Sequence, residues 1–480
     1  MGYAPLRHPA APPSISRSPH SMTGLCPRTV RASMDKPEFL TAQLIVNAVV
    51  VALTIHVMLL TVAYLIYFER KISAYIQDRL GPNRVGLDFG LPALSFLKNV
   101  IGLGQPLADG LKFFLKEDYT PSKVDKVLFS LAPMMSITPA LMGFAVINWG
   151  GVWNFPDFTI PLLNWHIEGG PVHVAGANIG VGIIYMLAIA SLGVYGITLG
   201  GWASNNKYSF LGGLRATAQM ISYEIPLGLA LLSALLVYGT TMPDQIVRQQ
   251  VSDGWMVLTQ PLAAVIFFTA ILAEANRAPF DNAEAENELV GGYHTEYSSM
   301  RFALFFLAEY AHMLTSGALF TLLFLGGYHL PGSSLPGLDL LSPESTSFVA
   351  VVAKYAVFFT KVVLVICFQM VVRWTLPRIR YDQVMAVAWQ VCIPLALAHV
   401  VVISVALYMD WRSPWQLFIA NVAVALAFTA LQGRVGIPST NKRLPLYGSR
   451  FSPMPGEKVV TGPTNPVALE DRPVQSLHAP

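Results

Sequence analysis

Residues 44–68 read LIVNAVVVALTIHVMLLTVAYLIYF, with Asn47 and His56 the main polar interruptions and no Asp, Glu, Lys or Arg. A helix rises 1.5 Å per residue, so about 20 apolar residues cross the roughly 30 Å hydrocarbon core of a bilayer. The segment therefore reads as a membrane span. Apolar runs of spanning length or close to it occupy 127–148, 178–199, 217–239, 255–273, 302–326, 348–372 and 384–409, and a shorter one occupies 415–431. The first eight satisfy the length requirement and the ninth is marginal, which predicts eight or nine spans. Pro133, Pro139, Pro226 and Pro261 fall inside these runs, where neighbouring helices satisfy the freed carbonyls. Continuous rather than alternating apolarity excludes a transmembrane barrel. The fold class is all-α, a polytopic transmembrane helical bundle.

Composition agrees. Of 480 residues, 54% are hydrophobic and only 12% charged, with a mean hydropathy of +0.51. That is too few charges for several soluble domains in series. The formal charge of +3 says little, but its placement is informative. Loop 69–126 holds nine Lys and Arg, whereas loops 149–177 and 327–347 hold none. Loops 200–216, 274–301 and 373–383 are again basic. By the positive-inside rule the basic loops are cytoplasmic, which puts the N-terminus outside. A ninth span would return the basic tail to the cytoplasm. Residues 1–40, rich in Pro, Ser and Arg, read as a disordered extension, with Met34 an alternative start. The helical domain is expected over 44–431 and a mostly disordered tail over 432–480. Cys26, Cys367 and Cys392 are too scattered to build a metal or cluster motif, so no metal site is expected.

Between Glu274 and Glu309 the chain places seven carboxylates, Glu274, Asp281, Glu284, Glu286, Glu288, Glu296 and Glu309, with Arg277 and Arg301. Carboxylates near membrane depth are costly to ionise, so a row of them points to proton movement, against the alternative of a solvated acidic loop. Asp281 with Glu284 three residues on resembles a helix start. Glu284 and Glu288 would then share a face that Glu286 does not. Glu224, Glu309, His312, Lys354 and Lys361 lie within spans, and Lys361 is expected to face one of the glutamates. His312 alone is as consistent with a helix-to-helix hydrogen bond as with proton transfer. Leu107, Leu111, Phe114 and Leu115 recur at helical spacing in the first basic loop, predicting an amphipathic surface helix. Such a helix either frames an opening for an amphiphile or only anchors the loop. Glu69 and Arg70 close the first span as a simple interfacial pair on the plainest reading.

The strings Glu69–Gly86, Lys116–Asp118, Gly201–Tyr208, Ser222–Glu224, Ala273–Asp281, Glu286–Ser298 and Leu376–Gln383 closely resemble the NuoH family. That family is the quinone-site membrane subunit of proton-translocating NADH:quinone oxidoreductase, respiratory complex I. The likeness covers roughly 44–409 in order. It implies a chain that forms the membrane part of a quinone chamber, with electrons reaching quinone through FMN and iron-sulfur clusters held by partner subunits and no cofactor bound by this chain alone. It implies a portal framed by the first, surface and sixth helices. The proton path it implies runs through Glu224, Glu274, Glu284, Glu286, Glu288, Glu296, Glu309 and Lys361. The chamber and its portal would use Glu69, Arg70, Arg84, Asp109, Arg277, Phe280 and Arg301. Partners would be membrane-arm subunits and the quinone-site subunits of the hydrophilic arm, in a bacterial cell (inner) membrane and without nucleic acid. Whether the quinone is ubiquinone or menaquinone stays open. Two other readings are a related membrane component of an energy-converting hydrogenase, which matches these strings less well, and a self-contained cation transporter, for which the internal repeat is lacking.

Overall fold

The computed structural model describes residues 41–86, 101–160, 165–282, 291–331 and 339–432. Among these described residues, eight helices are long and apolar enough to span. They are α1 (Ala42–Ile76), α3 (Lys126–Gly143), α4 (Gly182–Ala203), α5 (Lys207–Tyr238), α9 (Ser299–Phe324), α10 (Phe348–Thr375), the run from α11 (Tyr381–Ala386) into α12 (Ile393–Tyr408), and α13 (Pro414–Gln432). Shorter helices are α2 (Gln105–Leu115), α6 (Pro243–Asp253), α7 (Met256–Thr259) and α8 (Pro261–Glu274).

The fifth apolar run behaves differently from the sequence expectation. Pro261 has no N–H and Gln260 leaves the helical region at φ −128°, ψ 64°, so 255–273 splits into α7 and the 14-residue α8. At 1.5 Å per residue α8 covers about 21 Å. The marginal ninth run instead forms a spanning helix that packs on α7, α8 and α12. Its Asn421 side-chain oxygen accepts from the His399 ring (2.9 Å), and its amide nitrogen donates to the Thr259 carbonyl (3.4 Å).

Helices also outrun their hydropathy. α1 continues two turns past Phe68, so Glu69 and Arg70 do not close it. α5 starts at Lys207, capped by the Asn206 side chain, leaving three residues between α4 and α5 where a longer loop was expected. In the last long span, Pro394 denies an amide to the turn before it, and Val387–Cys392 widens into a π segment. There the Trp389 indole donates to the Ser222 hydroxyl (3.2 Å). Two antiparallel ribbons, β1 (Val152–Phe155) with β4 (Gly170–His173) and β2 (Phe158–Ile160) with β3 (Trp165–Ile167), fold the second loop. Each has only three or four residues per strand, an addition to the otherwise helical chain.

The core is made by α3, α4, α5, α8 and α9, packed through small residues as membrane bundles require. At Gly212 of α5 an added Cβ would lie 2.7 Å from the Cα of Gly292, so glycine permits the 291–297 segment to rest on the helix. The Ser209 hydroxyl fixes that segment by donating to the Tyr293 carbonyl (2.8 Å).

Candidate functional site

At the end of the bundle where α1 passes into the first basic loop, α1, α2 and α9 enclose a cavity of about 200 Å³. Its walls are largely apolar, including Ile66, Phe113, Phe306 and Leu307. Its polar edge is Arg70, whose Nη1 lies 2.8 Å from Asp109 Oδ2, while Gln105 donates to the other Asp109 oxygen (3.1 Å). Tyr67 braces the frame by donating to the Ile101 carbonyl (2.5 Å). The helix read from Leu107, Leu111, Phe114 and Leu115 thus forms as α2 and is one wall of this cavity.

Behind this cavity lies a buried ladder of charges. Glu69 pairs with Arg373 Nη1 of α10 at 2.5 Å and accepts a hydrogen bond from the Tyr310 hydroxyl of α9. The Tyr310 ring carries the Arg277 guanidinium 4.3 Å from its centroid. Arg277, 2% exposed, pairs with Glu309 and also lies 5.8 Å from the ring of Phe306, a cavity wall. Glu69 and Arg70, neighbours in sequence, therefore serve different partners, contrary to the simple pair expected.

From Glu309 the polar groups continue inward. A cavity of about 40 Å³ is lined by Glu309, His312, Glu274 and Asn276, and a second of about 20 Å³ by Glu274, His312, Thr315 and Ser316. One water needs about 10–15 Å³ of such volume and several polar partners, conditions that both cavities meet. His312 Nε2 stands 3.4 Å from Glu274 Oε1. Leu187 and Ala190 of α4 line the inner cavity, and the next residue, Ser191, donates its hydroxyl to Glu224 near the middle of α5. Glu224, Glu274 and Glu309 thus form a row on three helices.

Other expected residues lie elsewhere. Glu296 accepts from Asn206 (2.6 Å) at the α4–α5 turn. Arg301 donates to Thr120 (2.6 Å) and approaches Asp118 at 3.6 Å, so it clamps the 116–120 strap rather than lining the cavity. Arg84 is exposed on the loop after α1. Phe280 is buried against Tyr223, with ring centroids 5.3 Å apart. Its carbonyl accepts from Gln219, which also holds the Ala273 carbonyl (2.8 and 2.9 Å). Glu284, Glu286 and Glu288, with the helix expected from Asp281, lie outside the described residues.

Lys361 departs from its expected pairing. Its ammonium donates to the carbonyls of Leu325, Gly327 and His329 (2.6, 2.9 and 2.5 Å), capping the end of α9. Among the described residues carbonyl dipoles, and no glutamate, satisfy it. Burial first, and the Lys361 charge second, hold His329 below its ordinary pKa. Lys354 is likewise held by a carbonyl, that of Ser345 (2.7 Å). Arg373, Tyr310, Ser191 and Gln219 were not singled out from sequence. Arg373 counted only as a loop charge, and the other three are uncharged polar residues with no pattern of their own.

The NADH dehydrogenase family pattern matches residues 49–404, which leaves α13 beyond it. The chain is 46% identical over 354 residues to an H-type subunit of the NADH-quinone oxidoreductase of Geobacter sulfurreducens, covering 73% of this chain and 92% of that protein. It is 42% identical over 359 residues to the protein of the same name from Cytophaga hutchinsonii, covering 75% and 96%. Against the corresponding NADH-quinone oxidoreductase protein of Leptospira biflexa it is 44% identical over 367 residues, covering 76% and 95%.

Proposed function

Because the chain belongs to the NADH dehydrogenase family as an H-type subunit of NADH-quinone oxidoreductase, a multi-subunit membrane enzyme, we propose that it forms the membrane part of the quinone chamber and couples quinone reduction to proton movement. The observation that carries this reading is a shared wall. Phe306 lines the cavity between α1, α2 and α9 and also packs under Arg277, whose carboxylate partner Glu309 begins the buried row. An amphiphile with an apolar tail and a carbonyl-bearing head fits a greasy passage with Arg70 and Asp109 at its edge.

Reduction of a quinone to a quinol takes two electrons and two protons. FMN and iron-sulfur clusters of partner subunits supply the electrons, while this chain positions the substrate and handles charge. A unit charge 4 Å from another is worth about 4 kcal/mol at an effective dielectric of about 20. Charge change beside the ladder is therefore passed on through Glu309 and redistributes protons between the Glu274–His312 pair and Glu224. Glu284, Glu286 and Glu288 are further members of the proposed path by their match to the family. Glu296 and Lys361, engaged by Asn206 and by carbonyls, flank the path. The alternation of basic loops supports a cytoplasmic acidic end and an outside N-terminus in a bacterial cell membrane, with the membrane domain over 44–431 and tails at either side.

The test uses the assembled complex in proteoliposomes, with NADH-driven quinone reduction and proton transport followed together. Glu274→Gln keeps the shape but removes the titrating group, and is expected to abolish transport. Normal transport at normal quinone turnover would overturn the path. Gly110→Trp fills the cavity, since nothing lies within 4 Å of a Cβ there. It is expected to slow long-tailed quinones more than short-tailed ones.

A further inference from the structure

At the end of the bundle away from the ladder, a second cavity of about 640 Å³ opens between α8, α9 and α10. Its walls are apolar, with Val265, Phe268, Phe320 and Leu364 among them, and Val265 and Leu364 are about 60% exposed (60% and 62%). Lys361 is its one charged lining residue, and Trp255 stands beside it with the ammonium 4.5 Å from the ring centroid. Three carbonyls satisfy the ammonium's hydrogens, yet among the described residues no carboxylate lies within 4.0 Å of it. A cation in a spanning helix, opening onto an oily groove, lacks only an anion with an oily body.

The short helix supplies the reach. α8 begins at Pro261 on this groove, and its roughly 21 Å falls short of a bilayer core of about 30 Å. Lipid beside a short span thins, bringing headgroups deeper than elsewhere. A phosphate beside α8 is thereby lowered toward the level of Lys361. We propose that this groove is a binding site for an anionic phospholipid, its phosphate held beside the groove by the charge of Lys361, whose hydrogens stay on the three carbonyls, and its acyl chains lying along Val265, Phe268 and Leu364. Charge decides the class, because a zwitterionic headgroup brings its own cation to a site that already has one.

The test is lipid retention by the intact complex. Complex is stripped of loosely held lipid, exposed to phosphatidylglycerol or to phosphatidylcholine, repurified, and its bound lipid measured by mass spectrometry. Wild type is expected to retain phosphatidylglycerol and release phosphatidylcholine. Lys361→Met removes the charge and Leu364→Trp fills the groove while leaving the α9 cap intact, so each is expected to lose the retained lipid. If Lys361→Met fails to assemble, Leu364→Trp alone carries the test. Retention unchanged in Leu364→Trp, or equal retention of both lipids by wild type, overturns the proposal. So does cross-linking of a Leu364→Cys complex to a partner subunit in place of a photoreactive phosphatidylglycerol.

Discussion

Replacing Arg373 by Met should damage this protein far more than replacing Arg70 by Met, although both arginines pair with carboxylates at the same end of the bundle. Arg373 and Glu69 side chains are 9% and 8% exposed, and their 2.5 Å contact joins α10 to α1. Breaking a buried pair by removing one partner costs about 3–5 kcal/mol, because the remaining charge stays desolvated. Arg70 is 46% exposed, and an exposed pair contributes about 0–1 kcal/mol. The double variant E69L/R373M removes both charges and leaves mainly the unmade bond of the Tyr310 hydroxyl, about 1–3 kcal/mol. The expected order of stability is thus wild type, then R70M, then the double variant, with R373M last. The assay is the thermal midpoint of the purified complex, followed by loss of this chain from the assembly. R373M as stable as R70M, or a double variant weaker than R373M, would refute the view that burial of an unmatched charge dominates here.

Two further outcomes follow from packing. Gly212→Ala should cost about 1–3 kcal/mol, because its Cβ meets the Gly292 backbone at 2.7 and 2.8 Å and neither side can retreat. Gly110→Ala, with open space at its Cβ, should instead be neutral or gain about 0.5–1 kcal/mol from helix propensity, and thermal midpoints of the two variants should move in opposite directions or differ clearly. Asn421→Leu should lower the midpoint by less than R373M does, since interhelical polar contacts in membranes average about 0.6 kcal/mol. Protease sensitivity in the 409–414 loop should rise as α13 loosens from His399 and Thr259. Unchanged protection there would show that apolar packing alone holds α13.

The spans were legible because lipid demands long apolar runs, and the carboxylates because such groups are rare at depth. Helix ends were less so. Hydropathy marks where lipid lies, whereas α1 and α5 continue through Glu69, Arg70 and Lys207 because nothing in those residues stops a helix. The break before α8 had one local sign, Pro261, which other prolines here do not share: Pro133, Pro139 and Pro226 sit inside intact helices. Pairings were the hardest part. Glu69 chose Arg373, 304 positions away, over the adjacent Arg70, and Lys361 chose carbonyls, which every residue has and which leave no mark in a sequence. The surface helix α2, in contrast, follows from the helical spacing of Leu107, Leu111, Phe114 and Leu115, although that spacing does not say what the helix encloses.

The two kinds of cation beside the carboxylates have different consequences on the proposed reading. Glu69 and Glu309 are matched by arginines, which keep their proton at any physiological pH. Glu274 is matched by a histidine, the side chain whose proton occupancy changes most readily near neutrality. The ladder would then act as a rigid electrical contact, passing on a field without changing its own stoichiometry. On that reading the first place where a proton can be stored and released is the Glu274–His312 pair, so Glu274→Gln should remove, and His312→Gln reduce, the protons moved per quinone without changing the affinity for quinone.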